Sequence, residues 1–187
     1  MRTASVTVES ASPYTAGRVF TSEKAAKESH DDFEKRVWAE RLNVDDKGNG
    51  VIPGHAFMLS LCSAAKRYGG KIKGEGNSTW SKFFDSGILV LEPLLLGVTR
   101  TTVECHRQHV PSDGMPGGTK RVWRNFPIVH KWGGVIDYHV LDDKITEEKF
   151  EELIKQAFTF IGVGTWRPEK RGLNGRAHVK AVAWKDS

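Results

Sequence analysis

Two cysteines in 187 residues, Cys62 and Cys105, leave no disulfide framework, so a reducing cytoplasm is the expected compartment. No apolar run is long enough to cross a bilayer: the longest, Gly87–Val98, is broken by Glu92 and Pro93. Met1-Arg2-Thr3 leads straight into polar, alternating sequence without the apolar stretch of a secretory leader. Familiar chemical motifs are missing too. The glycines of Lys71–Ser81 lack the Gly-Lys-Ser/Thr of a Walker phosphate loop. Asp45-Asp46-Lys47-Gly48-Asn49-Gly50 places Lys47 at a calcium-ligand position and Ala56 where the bidentate Glu must stand, so it reads as a turn. Cys105-His106 with His109 has no second ligand pair at finger spacing, and the pairs Asp31-Asp32, Asp45-Asp46 and Asp142-Asp143 form no convincing metal site. No metal or other cofactor is expected.

What is present fits a soluble globular chain: 39% hydrophobic residues can bury a real core, and the length is that of one domain with inserts. The reading is a single domain over 1–187, with insertions at about 10–50, 70–87 and 104–133. Net charge is +5, unevenly spread. Residues 1–50 carry −1, residues 51–141 carry +5, residues 142–161 carry −3 and the last 26 carry +4. Basic charge thus gathers in the loop-rich middle and the Gly-rich tail, the footprint of a phosphate-binding face, although moderate positive charge also serves plain solubility.

Alternating Val6 and Val8 predict a first strand over Ala4–Glu9. Phe33, Val37, Trp38 and Leu42 recur at helical spacing inside an otherwise irregular stretch. After Val51-Ile52-Pro53-Gly54 comes a helix with Phe57, Leu61, Ala64, Ala65 and Tyr68 on its apolar face, stopped by Gly69-Gly70. The Thr- and Val-rich run Val98–Cys105 predicts a strand, and Gly114, Pro116, Gly117 and Gly118 mark the tip of a long hairpin returning through Val122-Trp123. A strand follows at Gly134–Leu141. Thr146 caps a helix whose stripe is Phe150, Leu153, Ile154, Ala157, Phe158 and Ile161, and Ala177–Ala183 is the last strand. This order predicts an α+β fold of the ferredoxin-like or RRM-like kind, β-α-β-β-α-β, with one antiparallel sheet and an extended hairpin.

Two segments resemble the RAMP superfamily, which includes the RNA-binding backbone and repeat-processing subunits of CRISPR effector complexes. Val51-Ile52-Pro53-Gly54-His55-Ala56-Phe57 is similar to the family's Ile-Pro-Gly-Ser-Ser-Leu-Lys at the start of its first helix. Ile161-Gly162-Val163-Gly164-Thr165-Trp166-Arg167 through Gly172-Leu173-Asn174-Gly175-Arg176 is similar to the family's Gly-rich loop before the last strand. The resemblance covers roughly 50–70 and 134–183. His55-Ala56 departs from the usual Ser-Ser, and the chain is shorter than most backbone subunits, which implies a stand-alone relative encoded by a phage or mobile element.

The resemblance implies a non-catalytic binder of single-stranded RNA or DNA, assembling along the strand as a homo-oligomer or within a larger ribonucleoprotein, with no membrane partner. In the tail, Gly162, Gly164, Gly172 and Gly175 let backbone N–H groups approach a ligand, and Arg167, Lys170, Arg171 and Arg176 add cations; the alternative is a tight structural connection. In the hairpin, His106, Arg107, His109, Lys120, Arg121 and Arg124 stand among Trp123 and Phe126, basic groups for phosphates and rings for unpaired bases. There the alternative is a solvated loop with Trp123 in the core. Trp80, Trp132 and Trp166 also stand in polar loops, and Lys66, Arg67, Lys71 and Lys73 form a further basic cluster. Two other functions remain open: a metal-independent endoribonuclease using His55 or another histidine, and a subunit mimic that docks on a defence complex and disrupts it.

Overall fold

The computed structural model describes residues 2–19, 21–112 and 120–186, so the predicted glycines of the hairpin tip lie outside the described residues. From the N-terminus the elements are β1 (Arg2–Ser10), β2 (Tyr14–Thr15), α1 (His30–Val37) with a 3-10 turn at Trp38–Arg41, β3 (Asn49–Ile52) and α2 (Gly54–Tyr68). Then come α3 (Ser81–Gly87), β4 (Ile88–Leu89), β5 (Leu94–Thr99), β6 (Glu104–Pro111), β7 (Arg121–Val129) and β8 (Gly133–Val140). The chain closes with α4 (Glu147–Gln156), a π turn at Ala157–Ile161, a 3-10 turn at Pro168–Lys170 and β9 (Ala177–Asp186).

The main sheet runs β4-β8-β1-β9, antiparallel throughout. Counting only its own strands and the helices α2 and α4, this is β-α-β-β-α-β with spatial order 4-1-3-2, the ferredoxin-like arrangement. Alternation in β1 and β8 turns Ala4, Val6, Val8, Ile136, Tyr138 and Val140 toward the helices. Against them α2 brings Phe57 and Leu61, and α4 with its π turn brings Phe150, Leu153, Ile154 and Phe158, all fully buried. Edge-on ring contacts lock the layers: Tyr138 to Phe150 at 5.5 Å and Phe150 to Trp184 at 5.2 Å. Thr146 caps α4 as its sequence predicts, accepting from the Lys149 N–H at 3.2 Å.

The second strand of the frame is not Val98–Cys105. That run is bent at its centre: the Thr99 carbonyl accepts from the Thr102 and Val103 N–H groups, and the Thr102 hydroxyl accepts from the Thr99 N–H. The same threonines that favour a strand here tie a turn, because their hydroxyls compete for backbone groups. It divides β5, which pairs with β3, from β6, which pairs with β7. The two-residue β4 fills the sheet edge instead, Ile88 opposite Val140. Trp132 stands in the loop between β7 and β8, as read, but its side chain is a core residue, 5% exposed, with its indole N–H donating to the Ser12 carbonyl at 2.9 Å.

The face of the sheet away from the helices bears on function. Its central strands present Thr3, Ser5, Thr7, Asp137 and His139, interlinked by Ser5 to Asp137 at 2.6 Å and Thr3 to His139 at 3.2 Å. Sheet-face readers of single strands stack bases on aromatic rings, and the ring that β1 and β8 place there is His139, bonded to Thr3. The insert carrying α1 packs on the root of the β6–β7 hairpin through buried Arg41, which pairs with Glu34 at 2.9 Å and donates to the Asn125 carbonyl at 3.1 Å.

Candidate functional site

The two segments that carry the sequence resemblance face each other across a cleft of about 440 Å³. One wall is the first turns of α2, with His55, Ala56, Leu59 and Ser63; the other is Gly162–Thr165 with Arg167 and Glu169; Tyr14, Arg18 and Asn43 close one end. α2 begins at Pro53 without a side-chain cap, so the positive end of a 15-residue helix opens into this space. Gly54 lets it begin there, since a β-carbon would lie 2.6 Å from the Val90 carbonyl oxygen. Burial pushes the Tyr14 hydroxyl up to about 12, against the pull of its hydrogen bond with Asn43, so it stays protonated.

The Gly-rich segment is more heavily committed to the fold than an open phosphate cradle would be. The Gly162 N–H donates to Ala157 at 2.8 Å, Val163 to Gly175 at 3.0 Å, Thr165 to Thr15 at 2.8 Å, Gly172 to Arg167 at 3.1 Å and Gly175 to Pro13 at 2.7 Å. Gly175 is therefore a seam between the loop and the segment after β1, not an open donor. Gly164 differs. Its φ is +81°, a β-carbon there would lie 2.6 Å from the Tyr14 ring, and its N–H has no hydrogen-bond partner among the described residues. It stands in the cleft wall.

The predicted cations divide in the same way. Arg167 lines the cleft, yet Glu169 holds it at 2.7 and 2.9 Å and it donates to the Gly164 carbonyl at 3.2 Å. Burial works to raise the Glu169 carboxyl, but its bonds with Arg167 keep it below the ordinary carboxylate range. Arg176 donates to the carbonyls of Thr159 and Leu173, both at 3.2 Å, and so ties off the end of the π turn. Arg176→Ala is accordingly expected to cost about 1 kcal/mol of stability, the worth of an ordinary net hydrogen bond or slightly more, while single-strand affinity stays at the parent value. Urea unfolding beside a binding titration checks both. Lys170 and Arg171 are exposed on the outer loop and are not among the cleft-lining residues.

Arg18 is the cation that sequence reasoning misses. It is exposed at the mouth of the cleft, its backbone held by the Arg41 carbonyl at 3.0 Å, and its guanidinium has no partner among the described residues. No local pattern marks it; it reaches the site because Tyr14–Thr15 adds to the edge of β7.

The hairpin residues form a separate surface. Arg121 donates to the His109 carbonyl at 3.2 Å and Arg124 to the Ser112 carbonyl at 2.8 Å, bracing the arms, while Lys120 is exposed. Trp166, at φ +56°, packs edge-on to Phe126 at 4.6 Å and against His106 at 6.3 Å, joining the Gly-rich loop to one face of the hairpin. Strand alternation puts Trp123, with His109 and Arg107, on the opposite face. The loop therefore meets His106 and Phe126 on one face of the hairpin, while Trp123, His109 and Arg107 lie on the other.

No family model matches the chain, and no curated protein matches it. Among solved structures, the crystal structure of Cmr6 from Pyrococcus furiosus matches over 96% of this chain and 99% of that one, at 15% identity and a TM-score of 0.49.

Proposed function

We propose that this chain binds single-stranded nucleic acid without cleaving it, holding the phosphate backbone in the cleft between α2 and the Gly-rich loop. One observation carries the reading: an uncapped helix N-terminus, and a Gly164 and an Arg18 whose N–H and guanidinium have no partner among the described residues, line one cleft. Helix dipole, backbone donor and guanidinium all favour an anion, and a guanidinium bonds phosphate oxygens with charge-assisted strength. The two motifs that resemble the RAMP superfamily supply the opposing walls, which supports a ligand of the kind that family binds. Assembly of several copies along one strand, or within a ribonucleoprotein, belongs to the same proposal.

Counterion release supplies the test. Affinity for a homopolymeric single strand should fall linearly with salt on logarithmic axes, by about 0.7 of a log unit per decade for each phosphate neutralised. A salt-independent affinity would sink the reading. His55 stands in the same cleft, so labelled RNA should also be followed in chelator: it is expected to stay intact, and metal-free cleavage would turn the reading to the repeat-processing type.

A further inference from the structure

The outward face of the β6–β7 hairpin carries a cluster that the cleft does not use. Trp123 is a large aromatic residue left 52% exposed, beside the exposed Arg121. Among the described residues its ring makes one ring contact and one cation contact, both with β6 across the ladder. His109 lies opposite it with centroids 5.0 Å apart and planes tilted by only 30°, and the Arg107 guanidinium is 5.0 Å from the ring centre. Arg107 is itself held by Asp31 of α1 at 2.9 Å, which fixes that side of the cluster from below. On its other side, among the described residues, β7 has a strand neighbour only where Thr15 and Tyr14 meet Ile128 and Val129, well toward the hairpin root.

From this we infer that Trp123, backed by His109 and Arg107, is a stacking platform for one unpaired nucleobase, with Arg121 and Lys120 placed for its flanking phosphate. The chemistry favours a base over an apolar protein segment. A flat exposed ring with the Arg107 guanidinium against it and the exposed Arg121 two residues before it suits a π-face joined to an anion; an apolar partner would have to desolvate those charges. The platform rests on the proposed single-strand binding but is a second point of contact, on the hairpin face opposite the one that Trp166 packs against. It makes the ligand a strand whose bases are free to splay.

The test uses the full chain, a short labelled oligoadenylate and an abasic strand of the same length and charge. The parent should prefer oligoadenylate. Trp123→Ala should lower oligoadenylate affinity roughly tenfold to a hundredfold, as loss of one stacked base does, while affinity for the abasic strand is unchanged. Trp123→Phe, which keeps a π-face, should retain most of the preference. Unfolding of both variants is measured alongside. If Trp123→Ala discriminates the two strands as the parent does, the platform is wrong while the cleft stands. Equal parent affinity for both strands also overturns the platform alone. A parent that binds neither strand overturns the single-strand reading, and the platform with it.

Discussion

Gly175→Val is expected to lose roughly 2–6 kcal/mol of folding stability, the sum of two independent costs. The first is backbone strain: Gly175 sits at φ +77°, in the left-handed region where a β-branched residue is least tolerated. The second is collision. A β-carbon at 175 would run into the carbonyl oxygen of Val163, in a buried seam where each residue's amide already bonds the next segment. Neither atom belongs to a flexible side chain, so relief requires moving the loop off the segment after β1. Gly74→Ala is the control, because Gly74 has a similar φ of +85° but no atom within 4 Å of the added carbon. It should cost only the strain, about 1 kcal/mol. Urea unfolding of the two variants separates the costs. If Gly175→Val unfolds within 1 kcal/mol of the parent, Gly175 does not hold the seam. Such a loss is of the same order as the whole stability of many domains, so impaired binding in Gly175→Val reports on folding first.

The frame of the fold was legible wherever periodicity was long. In α2 and α4 the apolar stripes of Phe57, Leu61, Phe150, Leu153, Ile154 and Phe158 mark both the helices and their buried faces. β1 is similarly marked by the alternation of Val6 and Val8. β4 was not legible, because two residues carry no period and Ile88–Leu89 lies inside an apolar run with Leu91, Leu94, Leu95 and Leu96. β-propensity pointed to Val98–Cys105, where Thr99 and Thr102 use their side chains to close a turn instead. Local preference lost there to local hydrogen bonding.

The site was legible as two motifs and not as a surface. Sequence identifies the glycines of 162–175, but which of their N–H groups stay open depends on Pro13 and Thr15, some 150 residues earlier. The partners of Arg167 and Arg176 likewise appear only once the loop is folded onto Glu169 and the π turn. Trp123 and Trp166 are alike in sequence context, each a tryptophan before an arginine. The ladder register sends one to the outer face of the hairpin, and the loop packs the other against the inner face. Arg18 carries no signal at all, since it lies in a stretch without regular periodicity.

Arg18 is also where the central claim is most exposed to test. Its side chain is exposed and without a partner among the described residues, so Arg18→Glu should leave unfolding within about 0.5 kcal/mol of the parent. The charge reversal places a carboxylate where the cleft is expected to meet phosphate. It removes a charge-assisted hydrogen bond, about 1.5–3 kcal/mol, and adds repulsion, so affinity for a homopolymeric single strand should fall at least about tenfold at low salt. One fewer neutralised phosphate should also flatten the salt slope by about 0.7. The decisive measurement is this titration of parent and Arg18→Glu across a salt series. The account predicts weaker binding and a shallower slope at unchanged stability; equal affinity and equal slope in a folded Arg18→Glu protein would contradict it and move the strand out of the cleft.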